Sequence, residues 1–141
     1  MKVLEPEESI PAIISMVNNA AEFIRIVSPY SYLEGWEQLV EAINKAVRRG
    51  VDVSYYVREE VGLDGLERIE AAVFEVPDLH AKMFFSEKEA IISSFHLINN
   101  SDINWACLLE SPDEYNTLAG FFEKYISPVA YTARKRKSVE Q

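Results

Sequence analysis

Leu79-His80-Ala81-Lys82-Met83-Phe84-Phe85-Ser86-Glu87-Lys88-Glu89-Ala90-Ile91-Ile92-Ser93-Ser94-Phe95-His96-Leu97-Ile98 is the stretch on which the reading of this chain turns. Two apolar runs flank the charged turn Glu87-Lys88-Glu89, as in a hairpin. Both histidines of the protein, His80 and His96, lie inside it. Lys82 follows His80 by two residues, and side chains alternate along a strand, so the two share a face. A nucleophile or acid–base group beside a fixed cation is what chemistry at a phosphate needs. If residues 79–86 and 89–96 pair, a two-residue connection sets Phe95 opposite His80. An odd-length connection sets Ser94 there and keeps His96 on the same face. The odd register is the expectation.

Upstream, residues 9–22 read as a helix with Ser9 as N-cap and Ile10, Ile13, Ile14, Val17 and Ala21 on one face. Residues 23–28 are a β-branched strand ended by Pro29. The loop Ser28-Pro29-Tyr30-Ser31-Tyr32 then lies at a strand's C-terminal end, where α/β sheets bind ligands. Tyr30 or Tyr32 either lines a site there or packs as a half-buried aromatic. Residues 34–49 carry the clearest helical stripe, Trp36, Leu39, Val40, Ile43, Ala46 and Val47. Arg48 and Arg49 suit its C-terminal dipole, and Gly50 its cap. With a strand at 51–57 this is a βαβ unit with parallel strands. A polar loop follows, with a short helix around 63–69, and then a third strand at 71–76 closed by Pro77.

Downstream, residues 98–104 are a polar loop and residues 105–110 a buried strand. Ser111 and Pro112 open a last helix to about Tyr125, with Leu118, Phe121, Phe122 and Tyr125 inward. The expected fold class is α/β, a mixed β-sheet sandwiched by helices on both faces. Residues 1–128 form one domain in this reading, and the basic segment 129–141, with Arg134-Lys135-Arg136-Lys137, is a frayed tail or an arm on a nucleic-acid backbone.

A chain of 141 residues, 48% hydrophobic, suits one core. No apolar run approaches the roughly 20 residues that span a bilayer, and the acidic start, broken at Pro6, does not read as a signal peptide. The single cysteine, Cys107, lies in an apolar run and reads as a buried thiol in a cytoplasmic protein. A net charge of −9 disfavours extended non-specific binding to a polyanion, while a local basic patch still suits one phosphate.

His80-Ala-Lys82, followed by a strand that ends in a small-residue pair, resembles the signature of the phospholipase D superfamily, the HKD nucleases and lipases. Residues 23–30 and 41–53 resemble that fold's first strand and its helix-into-second-strand segment, and the likeness extends over roughly residues 8–125. The resemblance implies a metal-free mechanism without cofactor. A histidine attacks a phosphodiester phosphorus, a second histidine protonates the leaving oxygen, and lysines and an Asn hold the phosphate oxygens. Carried over, His80 is the nucleophile and Lys82 the phosphate clamp. Ser94 and His96 are the phosphate-binding positions, with His96 where the family has Asn. Glu87 stands at the family's Asp position, though within the charged turn it reads as a solvated residue. The acidic residue that orients the nucleophile falls near Ala106, and Glu110 is a poor substitute by spacing. One HxK per chain implies a homodimer with the two His80 side chains facing across its axis. The expected function is a phosphodiesterase, on nucleic acid or another phosphodiester. The alternative is an inactive phosphate- or nucleic-acid-binding module on the same fold.

Overall fold

In the computed structural model, which describes residues 1–98 and 102–137, the chain begins with β1 (Lys2–Leu4), α1 (Pro6–Asn19), β2 (Phe23–Val27), β3 (Ser31–Tyr32), α2 (Glu37–Arg48) and β4 (Asp52–Arg58). It continues with β5 (Ala72–Val76), β6 (Met83–Ser86), β7 (Ala90–Ser93), β8 (Leu97–Ile98), β9 (Ala106–Leu109), α3 (Pro112–Phe121) and β10 (Tyr131–Arg134). Eight strands form one mixed sheet in the order β1-β9-β7-β6-β2-β4-β5-β10, and β3 and β8 pair beside it. β2, β4 and β5 are parallel, as the βαβ pattern requires, while β6, β7 and β9 run antiparallel.

Alternation sorts each strand's side chains between two cores. Ile24 and Ile26 join Phe84 and Ile91 under α1 and α2, against Ile13, Met16, Leu39 and Ile43. Val27, Tyr56, Met83 and Phe85 face the other way, under Phe122 and Ile126. The sheet is thus covered by helices on both faces. Each buried Ile or Leu contributes about 1.5–3 kcal/mol, so the two cores hold the strand ends that carry the site.

Several boundaries differ from the sequence reading. α1 starts at Pro6, not Ser9, because Glu5 and Glu8 form a reciprocal capping box and Pro6 takes the first turn. Ser9 is buried within the helix. α2 ends as expected, with Gly50 at φ 95° after the cap. No short helix forms at 63–69. There the buried Asn44 brackets the loop, donating to the Arg68 carbonyl and accepting from the Glu70 N–H, both at 2.8 Å. The last helix widens into a π-helical turn at Phe122–Ile126. That turn buries Phe122 and Ile126 and leaves Phe121 and Tyr125, expected inward, 43% and 56% exposed.

The basic segment, expected to fray, lies against the fold over its described part. β10 pairs with β5, Arg134 donates to the Leu66 and Ile69 carbonyls, and Arg136 donates to the Val47 carbonyl at 2.8 Å. Residues 138–141 of that segment, and 99–101 of the polar loop, lie outside the described residues. Cys107 is buried, and among the described residues no helix is long and apolar enough to cross a membrane.

Candidate functional site

The site forms where β2, β4 and β5 end. β6 and β7 pair as Met83 with Ile92, Phe84 with Ile91 and Phe85 with Ala90. Ser86 closes the ladder on Glu89 at 2.9 Å, so the connection is the two residues Glu87-Lys88. The expected odd register is therefore not the one formed. Extended backward, the observed register sets Phe95, not Ser94, opposite His80. The strand expected from residue 79 also begins only at Met83, and His80-Ala81-Lys82 is an extended lead-in to it.

His96 nevertheless reaches His80. The chain leaves the ladder after Ser93, and β8 binds β3 instead of continuing the hairpin. Ser28, fully buried, fixes this turn. Its hydroxyl accepts from the Leu97 N–H at 2.8 Å and donates to the Tyr30 carbonyl at 3.0 Å. The His96 ring ends up edge-on to Tyr30, with centroids 4.9 Å apart, and 5.5 Å from His80. Of the two tyrosines, Tyr30 thus borders the histidines, whereas the Tyr32 hydroxyl donates to Glu34 at 2.6 Å.

Lys82 Nζ lies 3.3 Å from His80 Nε2. An ammonium has only donors, so Nε2 of His80 is the accepting, unprotonated nitrogen, and the proton of the neutral ring sits on Nδ1. His80 is exposed and its reactive lone pair lies beside a cation. The His96 imidazole behaves differently. Burial, with the nearby Lys82 ammonium and His80, pulls it from 6.5 down to about 4. It is a neutral ring at pH 7 and offers a phosphate an uncharged N–H. Its Nδ1 is buried without a hydrogen-bonding partner among the described residues.

Ser94 does not turn toward His80. Its hydroxyl donates to Asn104 Oδ1 at 3.1 Å and accepts from the Trp105 N–H at 2.9 Å, which ties the loop to the start of β9. Glu87 is not a solvated turn residue either. Its carboxylate accepts the backbone N–H groups of Ala21, Glu22 and Phe23 at 2.7, 3.1 and 3.1 Å. Partial burial works against the charge, but these bonds outweigh it and hold the carboxyl at about 2. Glu110 lies beyond Leu109, at the opposite end of the sheet from His80, and pairs with the N-terminal amine at 3.6 Å. A cavity of about 290 Å³, walled by Ile10, Trp36, Phe95 and Asn104, lies off the histidine pair.

One participant had a faint sequence signal only. Arg58, the last residue of β4, donates from Nη1 to the Leu79 carbonyl at 3.0 Å. A lone arginine at a strand end is ordinarily solvated, so only the fold reveals it.

The fold has counterparts among solved structures. Nuc from Salmonella typhimurium, a phospholipase D family member, superimposes with a TM-score of 0.70 at 16% identity, covering 95% of this chain and 99% of that one. The chain has the phospholipase D fold. NucT from Helicobacter pylori matches with a TM-score of 0.70 at 15% identity, over 93% of this chain and 97% of its own. Part of TrmBL2, an archaeal chromatin protein whose structure shows a novel mode of DNA binding, also superimposes on the chain. There the TM-score is 0.62 at 13% identity, with 89% of this chain covering 49% of that one. At these identities the likeness is one of fold. No protein-family model and no curated protein sequence matches the chain.

Proposed function

We propose that the protein is a phosphodiesterase of the phospholipase D kind, acting through a phosphohistidine on His80. The observation that carries this reading is the Lys82–His80 contact at 3.3 Å, which leaves Nε2 unprotonated and beside a cation. In the proposed reaction the Nε2 lone pair attacks phosphorus, and the bond from phosphorus to the leaving oxygen breaks. Lys82 swings from Nε2 to a non-bridging oxygen as charge develops there. His96, neutral, donates an N–H to the same phosphate. The proton for the leaving oxygen comes from His80 of a second copy, which enters the reaction as the imidazolium, its Nε2 proton displacing the contact with its own Lys82, and later takes a proton back from the water that cleaves the P–N bond. In this reading His96 binds the phosphate and takes no part in this proton transfer. Its ring lies beside His80, and an in-line displacement needs the acid on the far side of phosphorus. The exposed setting of His80 suits a substrate that lies across a surface, such as a nucleic-acid strand.

The second reading is a binding module that holds a phosphate without cleaving it. It is favoured by His96 in the Asn position and by the sharing of the fold with a chromatin protein that binds DNA. Incubation with a chromogenic phosphodiester in the presence of chelator, beside His80→Ala, separates the two. Turnover lost in His80→Ala supports the enzyme. Vanadate or phosphate binding without turnover supports the module.

A further inference from the structure

Arg58 stands where the two segments that carry the histidines meet. Its backbone N–H donates to the Pro29 carbonyl at 3.0 Å, securing the turn that sets Tyr30 against His96. Its Nη1 donates to the Leu79 carbonyl at 3.0 Å, one residue before His80. The chain reaches that carbonyl through Asp78, which sits at φ 58°, the left-handed region that a non-glycine residue adopts only when its surroundings impose it. The surroundings here are the buried Leu79 side chain and the charge-assisted bond to the Leu79 carbonyl. The Asp78 carboxylate adds little, being 98% exposed and 3.9 Å from Arg58 Nη2.

We propose that Arg58 is a positioning residue for His80, clamping the backbone from which the nucleophile hangs while Lys82 sets the orientation of its ring. The proposal rests on the phosphohistidine reading. It assigns to a main-chain clamp the placement that a carboxylate on the imidazole would otherwise supply. Arg58 touches neither substrate nor the reacting atoms. It acts on how often Nε2 stands in line with phosphorus, so it moves kcat and not KM.

The test is steady-state kinetics with a chromogenic phosphodiester on four variants of the full chain, beside imidazole nitrogen NMR of the free proteins. Arg58→Met is expected to lower kcat by about 100-fold, the cost of a misplaced reacting group, with KM within about threefold of the parent. Arg58→Lys, whose ammonium still reaches one carbonyl, is expected to recover kcat to within about tenfold. Asp78→Gly keeps the left-handed turn without strain and retains kcat. Asp78→Pro, locked near φ of about −65°, breaks the turn and matches the loss in Arg58→Met. In the spectra, His80 shows one Nδ1–H tautomer in the parent and in Arg58→Lys, and an averaged signal in Arg58→Met, while the His96 resonances stay put. Unchanged kcat and an unchanged His80 signal in Arg58→Met overturn the proposal. If the parent cleaves no phosphodiester, the phosphohistidine reading fails by itself, and the His80 signal still decides for or against the clamp. If Arg58→Met does not fold, Arg58→Lys and the Asp78 pair decide it by the same readouts.

Discussion

His96 and Glu87 titrate in separate windows, and each leaves a signature in stability. The unfolded chain protonates His96 near 6.5 and the folded ring only near about 4. Between those values the unfolded state holds more protons, so this contribution is complete above 6.5 and is lost as pH falls toward 4. Glu87 follows with the same sign at lower pH. Its contribution is present above 4.5 and is lost as pH falls through about 2. Both groups are partly solvated, so screening leaves each worth about 1–2 kcal/mol. Urea midpoints across both windows should show His96→Asn flattening the upper one and Glu87→Gln the lower. A parent whose midpoint does not change between pH 7 and 4 would refute the burial assigned to His96. His96→Asn should also retain phosphate binding, since an Asn side chain donates an N–H in the same role. Of these two residues, the first was legible only as a substitution in a resembled motif. Glu87 was misread, because three backbone partners some 65 residues away leave no mark in a local sequence pattern.

At the scale of elements, Ser28 is the pin that couples β2 to β8 and so brings His96 to His80. Ser28→Ala strands the Leu97 N–H, a buried donor, at a cost of about 1–3 kcal/mol. The expected outcome is a lower urea midpoint together with weaker phosphate binding, the second exceeding what the loss of folded protein explains. Phosphate affinity equal to the parent's in the folded variant would remove Ser28 from the site. β10 covers the edge of β5. Truncation before Tyr131 bares that edge, which should produce aggregation measurable by light scattering. Most of the elements were legible because β-branched runs ended by proline, and a helical stripe ended by glycine, are local signals. The hairpin register was not. Loop parity depends on whether Glu89 bonds back to Ser86, and the charged triplet Glu87-Lys88-Glu89 suits either count. The π-helical turn was missed for a similar reason, since a single widened turn leaves the apolar spacing of α3 looking regular.

Taken whole, the molecule presents one His80 on an open surface, and the proposed reaction needs two. Mixing His80→Ala with Lys82→Ala protomers should not restore a site if both copies must contribute the histidine. Wild type mixed with excess His80→Ala should lose activity in proportion to the mixed dimers formed, as read by turnover at fixed wild-type concentration. The acidic balance of −9 adds that activity on nucleic acid should fall less steeply with salt than a basic nuclease's does. The fold was legible at this scale because several segments agreed in order and spacing. Of the candidate site, His80, Lys82 and His96 were legible, whereas the contacts of Ser28 and Arg58 join the ends of β2 and β4 to distant segments that only the folded sheet brings together. The most direct measurement is a rapid alkaline quench of the protein turning over a chromogenic phosphodiester, followed by peptide mass analysis. The predicted result is a phosphoryl adduct on His80 that forms and decays with turnover and is missing in His80→Ala. Turnover that persists in His80→Ala, or that proceeds with no adduct on His80, would contradict it.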